Sequence, residues 1–156
     1  MVDYSQYKLH EREMIFKKLQ KDLPEPSYAI MWEDPAKPDE PMRITKPSPT
    51  WLAMAMHGDI LPPVEVYHAL AEDEARPGFK RHTRGYLMHE TKPLPAMTEK
   101  EAMEYLVQKD IPARVWRDYE GNREILKIVP VELVPTDRSL RNAWAIDQNG
   151  DERTAA

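Results

Sequence analysis

Apolar residues recur at helical spacing along the start of the chain. Leu9, Phe16 and Leu23 stand seven positions apart, with Leu19 between them and Met14 and Ile15 widening the stripe, which predicts an amphipathic helix over roughly Ser5 to Asp22. Lys8, Glu11, Glu13, Lys17, Lys18 and Lys21 supply its polar faces, and Arg12 breaks the heptad. A helix packed on its own domain is therefore favoured over a subunit-pairing coiled coil. Ser48-Pro49-Thr50-Trp51 is a helix start with Ser48 as N-cap, and the helix should stop at Gly58, a left-handed C-cap. Trp51, Leu52, Met54 and Met56 make that helix apolar nearly all round, so it is buried within the domain or under a neighbouring chain.

Pro62-Pro63 opens a further helix carrying Val66, Tyr67, Leu70 and Ala71, although Val64, Val66 and His68 also alternate as in a strand. Arg84 to Thr91 alternates in the same way and reads as a strand. Thr98-Glu99-Lys100-Glu101 is a capping box leading into a helix with Ala102, Met103, Leu106 and Val107 on one face, ending before Ile111-Pro112. Glu120-Gly121-Asn122 reads as a hairpin turn between Val115-Trp116-Arg117 and Glu124 to Val129. Asp137 to Trp144 reads as one or two tight helical turns, Asn149-Gly150 as a final turn, and Glu152 to Ala156 as a frayed tail.

These elements predict a small α+β domain of three or four helices with a short antiparallel β element, plus a proline-rich extended segment. The chain has fifteen prolines against five glycines, and nine of the prolines (Pro24, Pro26, Pro35, Pro38, Pro41, Pro47, Pro49, Pro62 and Pro63) fall in one forty-residue stretch. Proline fixes φ and removes a backbone donor, so Pro24 to Pro47 is expected to hold neither long helices nor central strands. It reads as an irregular loop on its own domain, an arm laid on a partner, or a disordered segment. The expected division is an N-terminal helix at 1–22, a proline-rich arm at 23–47 and an α+β domain at 48–156. Tyr28, Ile30, Met31 and Trp32 form an apolar patch within the arm, and Tyr28, Met31 and Trp32 are candidate partner contacts. Trp51 is another, through its apolar helix.

Composition narrows the chemistry. The chain has 156 residues, a formal net charge of −5 and no cysteine, which excludes disulfides, thiol catalysis and thiolate metal sites. There is no run of about eighteen apolar residues to span a membrane, and the charged Met1 to Lys21 stretch does not resemble a signal peptide. Phosphate-binding glycine loops and a glycine-flanked nucleophile elbow are absent. His57-Gly58-Asp59 is a tight histidine–carboxylate pairing at a helix end, and no two histidines stand at the i, i+4 spacing of a zinc enzyme. No metal, cofactor or catalytic residue is therefore expected. Lys80-Arg81-His82-Thr83-Arg84 is the densest basic run, and Lys80, Arg81 and Arg84 are its candidate nucleic-acid contacts. The acids Glu72, Asp73 and Glu74 stand close enough to pair with it, and a solvated loop is the favoured outcome.

The last candidate lies near the C-terminus. An apolar run ending in Ile128-Val129 leads through Leu133-Val134-Pro135 into Asp137-Arg138-Ser139-Leu140-Arg141-Asn142-Ala143-Trp144. The string resembles a motif close to D-R-[ST]-F-R-N-A-W found in a group of small bacteriophage proteins of unassigned activity, with Leu140 at the phenylalanine position. The preceding Lys109-Asp110-Ile111-Pro112 and Val115-Trp116 resemble the same group. Asp137 suits a helix cap, Arg138 and Arg141 suit a clamp onto the preceding strand and Trp144 a hydrophobic anchor, while Arg141, Asn142 and Trp144 are also candidate docking contacts. The resemblance implies a phage gene product. With no catalytic constellation, the expected function is a non-enzymatic structural or assembly protein of the virion that binds other subunits, within a homo-oligomeric assembly. The alternative is a small protein of the infected cytoplasm that binds and inhibits a host or defence complex.

Overall fold

The computed structural model describes residues 2–117, 125–134, 144–146 and 152–154. Helices α1 (Leu9–Leu19), α2 (Pro49–His57), α3 (Val64–Ala75), α4 (Leu87–Glu90), α5 (Glu99–Asp110) and α6 (Ala113–Trp116) combine with strands β1 (Tyr28–Trp32), β2 (Arg43–Thr45), β3 (Leu126–Pro130), β4 (Trp144–Ile146) and β5 (Glu152–Thr154) in an α+β fold. Two compact units are each assembled from separated stretches of chain. The first takes Met1–Pro24 and Pro49–Tyr105, the second Glu25–Ser48 and Leu106–Ala156. The expected linear division into 1–22, 23–47 and 48–156 is thus replaced. The N-terminal helix groups with residues 49–105, and the proline-rich segment with the C-terminal third.

In the first unit α1 buries Leu9, Arg12 and Phe16, while Met14 and Leu19 stay exposed. Its core joins Tyr4 and Phe16 to Leu52–Ala55 of α2, Ile60, Leu61, Ala102 and Tyr105. Burial of α2 within its own unit follows from its unbroken apolar surface. Pro49 opens this helix, and Gly58, at φ +84°, ends it with its amide donating to Met54 O at 3.2 Å. The helical reading of Val64–Ala75 holds over its strand alternative. The Thr98 capping box forms as expected: the Glu101 amide donates to Thr98 Oγ1 at 3.1 Å and the Thr98 amide to Glu101 Oε1 at 3.0 Å. Around Arg84 to Thr91 the expected strand is instead the short helix α4. Its amides bond carbonyls three and four residues back, from Leu87 N to Arg84 O through Thr91 N to Leu87 O, so local turns satisfy the backbone.

The second unit holds an antiparallel sheet in the order β2-β1-β3. Tyr28 pairs with Pro130 and Trp32 with both Leu126 and Arg43, which makes β1 the central strand. This corrects the expectation of no central strand in the proline-rich segment. Its prolines flank the apolar run Tyr28–Trp32 without entering it, so every β1 amide remains available for pairing. A second correction concerns Val115-Trp116-Arg117. Pro112 precedes a helical turn there, α6, and β3 takes β1 as its partner. Near the C-terminus β4 pairs antiparallel with β5, so Glu152 to Thr154 is a strand where a frayed tail was expected, and the expected turn at Asn149-Gly150 lies outside the described residues. Trp144 begins β4 where the last helical turn was expected, and residues 137–143 lie outside the described residues. Among the described residues no helix is long and apolar enough to cross a membrane.

Candidate partner-binding site

Within the second unit, the sequence between β1 and β2 builds a folded loop whose anchor is Asp34. Its carboxylate is almost completely buried and accepts a two-point hydrogen bond from Arg114, Nε to Oδ1 at 2.9 Å and Nη2 to Oδ2 at 2.6 Å. Asp34 Oδ1 also accepts from the Ala36 amide at 2.9 Å, and the Lys37 amide donates to Asp34 O at 2.9 Å. The remaining loop, with Pro35, Pro38 and Pro41, thereby holds its shape without helix or strand.

Two concavities flank its Glu40–Met42 wall. One, of about 380 Å³, is lined by Glu33, Asp34, Asp39, Glu40 and neighbouring prolines. The other, of about 440 Å³, is lined by Trp32, Glu40, Pro41, Met42 and the whole of β2. Here the Arg43 guanidinium lies 5.3 Å from the centre of the Trp32 ring, and the indole Nε1 donates to Thr45 Oγ1 at 3.0 Å. Glu40 pairs with Arg43 and holds the guanidinium in place. Among the described residues strand β2 pairs only with β1, so it is an edge of the described sheet, and its three residues are half-buried. The arrangement combines an indole, a guanidinium and an open strand edge, which are the means by which folded domains take up extended peptide.

The sequence-predicted contacts are only partly brought together. Met31 is completely buried and Trp32 is 7% exposed, so the expected docking patch is mostly sheet interior; Met31 packs with Ala29, Met42, Val129 and Val134. Tyr28 is half-buried at the start of β1, away from the residues lining the Trp32 pocket. Trp51 packs in the first unit beside Tyr105, with ring centres 5.9 Å apart. Arg141 lies outside the described residues, as does the side chain of Trp144. Arg43 and Thr45 were missed, although Arg43-Ile44-Thr45 is a short polar–apolar alternation between Pro41 and Pro47 that carries a weak strand signal.

The basic run also changes character. Lys80 and Arg81 are exposed, but Arg84 is not the solvated side chain expected. Its Nε and Nη2 donate to Asp73 Oδ1 at 3.1 and 2.8 Å, its amide to Asp73 Oδ2 at 3.2 Å, and Nη2 also reaches Ala69 O and Glu72. The Asp73 carboxylate is buried, and these hydrogen bonds hold it below the usual carboxylate range against the opposing effect of burial. Arg84→Ala should therefore lower the melting temperature by several degrees, whereas Arg81→Ala should leave it unchanged. Equal melting curves for the two variants would return Arg84 to the solvated class.

Asp34 offers a pH test. The hydrogen bonds from Arg114 hold its carboxyl far below the usual range, burial pushes it up by less, and the Ala36 amide lowers it further. A depressed folded-state pKa means that the stabilisation is complete above the unfolded aspartate value of about 4 and is lost as pH falls toward the folded value. Asp34→Asn should thus melt below the wild type at neutral pH, with the gap narrowing steadily below about pH 4. A gap of constant size in melting scans down to about pH 2 would show that this ion pair has no linkage to folding.

Among the described residues no three histidine or carboxylate side chains converge as metal ligands. No family model, curated protein or solved structure matches the chain.

Proposed function

We propose that this is a non-enzymatic bacteriophage protein, structural or assembly in role, that works by binding other virion subunits. The observation that carries the binding role is the Trp32–Arg43 concavity beside the edge strand β2. Arginine is enriched among the residues that supply interface energy, Arg43 is presented there on the buried Trp32 ring, and an edge strand supplies backbone donors and acceptors to an incoming extended segment. The phage assignment rests on the likeness of Asp137 to Trp144 to the D-R-[ST]-F-R-N-A-W string. On this reading the protein acts in the virion and needs no cofactor.

Mass spectrometry of purified particles from the source phage tests it. The protein should be present at stoichiometric copy number, and Arg43→Ala, with an unchanged melting temperature, should reduce its incorporation severalfold. Absence from particles, with recovery from infected cytoplasm in a complex with a host protein, would replace this reading with that of an intracellular inhibitor.

A further inference from the structure

A third concavity, of about 310 Å³, lies in the first unit and is lined by Val2, Tyr4, Phe16, Leu19, Gln20, His57 and Asp59. Its wall is aromatic. The His57 ring meets Tyr4 and Phe16 edge to face, at centroid distances of 5.4 and 5.3 Å. One of its polar side chains, Asp59, is set by unusual backbone. Gly58 and Asp59 both lie in the left-handed region, at φ +84° and +64°, and Asp59 is the only non-glycine there among the described residues. Aspartate is one of the few side chains that tolerate this conformation. The Asp59 amide is tied to Leu94 O at 2.7 Å, so the turn that places Asp59 on the pocket is fastened from outside the pocket.

The polar side chains of the lining can each accept a hydrogen bond, the Tyr4 hydroxyl included. His57 Nδ1 lies 2.9 Å from Gly58 O; a carbonyl can only accept, so Nδ1 carries the proton and Nε2 of the neutral ring is an acceptor. Gln20 Nε2 donates to Asp22 O at 2.5 Å, which leaves its Oε1 as the remaining acceptor. The Asp59 carboxylate accepts and has no cationic partner among the described residues, and Lys17, Lys18 and Lys21 do not line the pocket. A pocket of acceptors, one negative charge and aromatic walls complements a group that only donates, carries positive charge and sits on an apolar stem.

We propose that this pocket binds the side-chain ammonium of a lysine presented by a partner protein. The ammonium's three donors meet Asp59, His57 Nε2 and Gln20 Oε1, and the four-carbon stem lies on Val2, Phe16 and Leu19. A protein-borne lysine is favoured over a free amine because Leu19 is 59% exposed at this pocket, and only a surface that accompanies the ammonium would cover it. The site lies in the other unit from Trp32 and Arg43, so the two readings stand or fall separately.

The test is an NMR titration of the full chain at about pH 8, where an ordinary histidine is neutral. The probes are Nα-acetyl-lysine N-methylamide, its norleucine counterpart and n-pentylamine. The lysine probe should shift the signals of Leu19, Gln20, His57 and Asp59 to saturation, and the other two should bind at least about tenfold more weakly. Asp59→Asn keeps a residue suited to positive φ and should weaken the lysine probe by about tenfold or more at an unchanged melting temperature. Equal binding of the norleucine probe, or an unaffected Asp59→Asn variant, overturns ammonium recognition. Equal binding of n-pentylamine overturns the protein-borne source.

Discussion

Replacing Arg12 by alanine should cost the protein about 3 kcal/mol of stability, the loss expected from two hydrogen bonds to a charged donor. Arg12 is completely buried, yet among the described residues it has no carboxylate partner. Its Nε donates to Ile60 O at 2.8 Å and its Nη1 to Tyr7 O at 2.7 Å, while Nη2 is buried without a partner. Desolvation lowers its pKa, with Glu13 and Tyr67 opposing. The guanidinium therefore fastens α1 both to the turn that precedes it and to the loop that follows α2. Alanine would strand two carbonyls and open a void. Arg12→Met separates these causes, because it keeps the stem's packing and removes the donors. Urea unfolding should place the methionine variant between alanine and wild type. A methionine variant as stable as wild type would show that the carbonyl bonds only offset the cost of burying the charge.

What was legible in the chain was mostly what is local. The Thr98–Glu101 box and the Gly58 stop depend on residues within one turn of each other, and both form. The acids Glu72 to Glu74 do meet the basic run, because charge complementarity over a short loop needs little knowledge of the fold. Arg12 was illegible for the opposite reason. A periodicity argument counts arginine as a break in the stripe, whereas its true neighbour is a carbonyl forty-eight residues away. The proline-rich segment misled in a related way. Counting prolines over the whole stretch hid a proline-free run whose pairing partner, β3, lies far along the chain. Of the candidate site, Trp32 could be singled out as an apolar aromatic. Its pairing with Arg43 and Thr45 appears only once β1 and β2 are set in register.

Gly58→Ala should destabilise the first unit far more than Gly78→Ala, although both glycines have positive φ, +84° and +75°. At Gly78 an added Cβ meets nothing within 4 Å, so the penalty is left-handed backbone strain alone, about 1 kcal/mol. At Gly58 the same Cβ would lie 2.4 Å from Ala96 N and 2.8 Å from its Cα, a clash with main chain that no rotamer change relieves. That main chain has little room to retreat. Asp59 N bonds Leu94 O at 2.7 Å, Leu94 N bonds Leu61 O at 2.9 Å and Met97 N bonds Ala55 O at 3.1 Å, so moving Ala96 loosens the strap against α2 and its following loop. Strain and overpacking together should cost about 3 kcal/mol or more. Urea midpoints at unchanged slope measure the difference directly. Equal midpoints for the two alanine variants would mean that the 94–97 strap yields freely, and would also remove the rigid footing on which Asp59 is held.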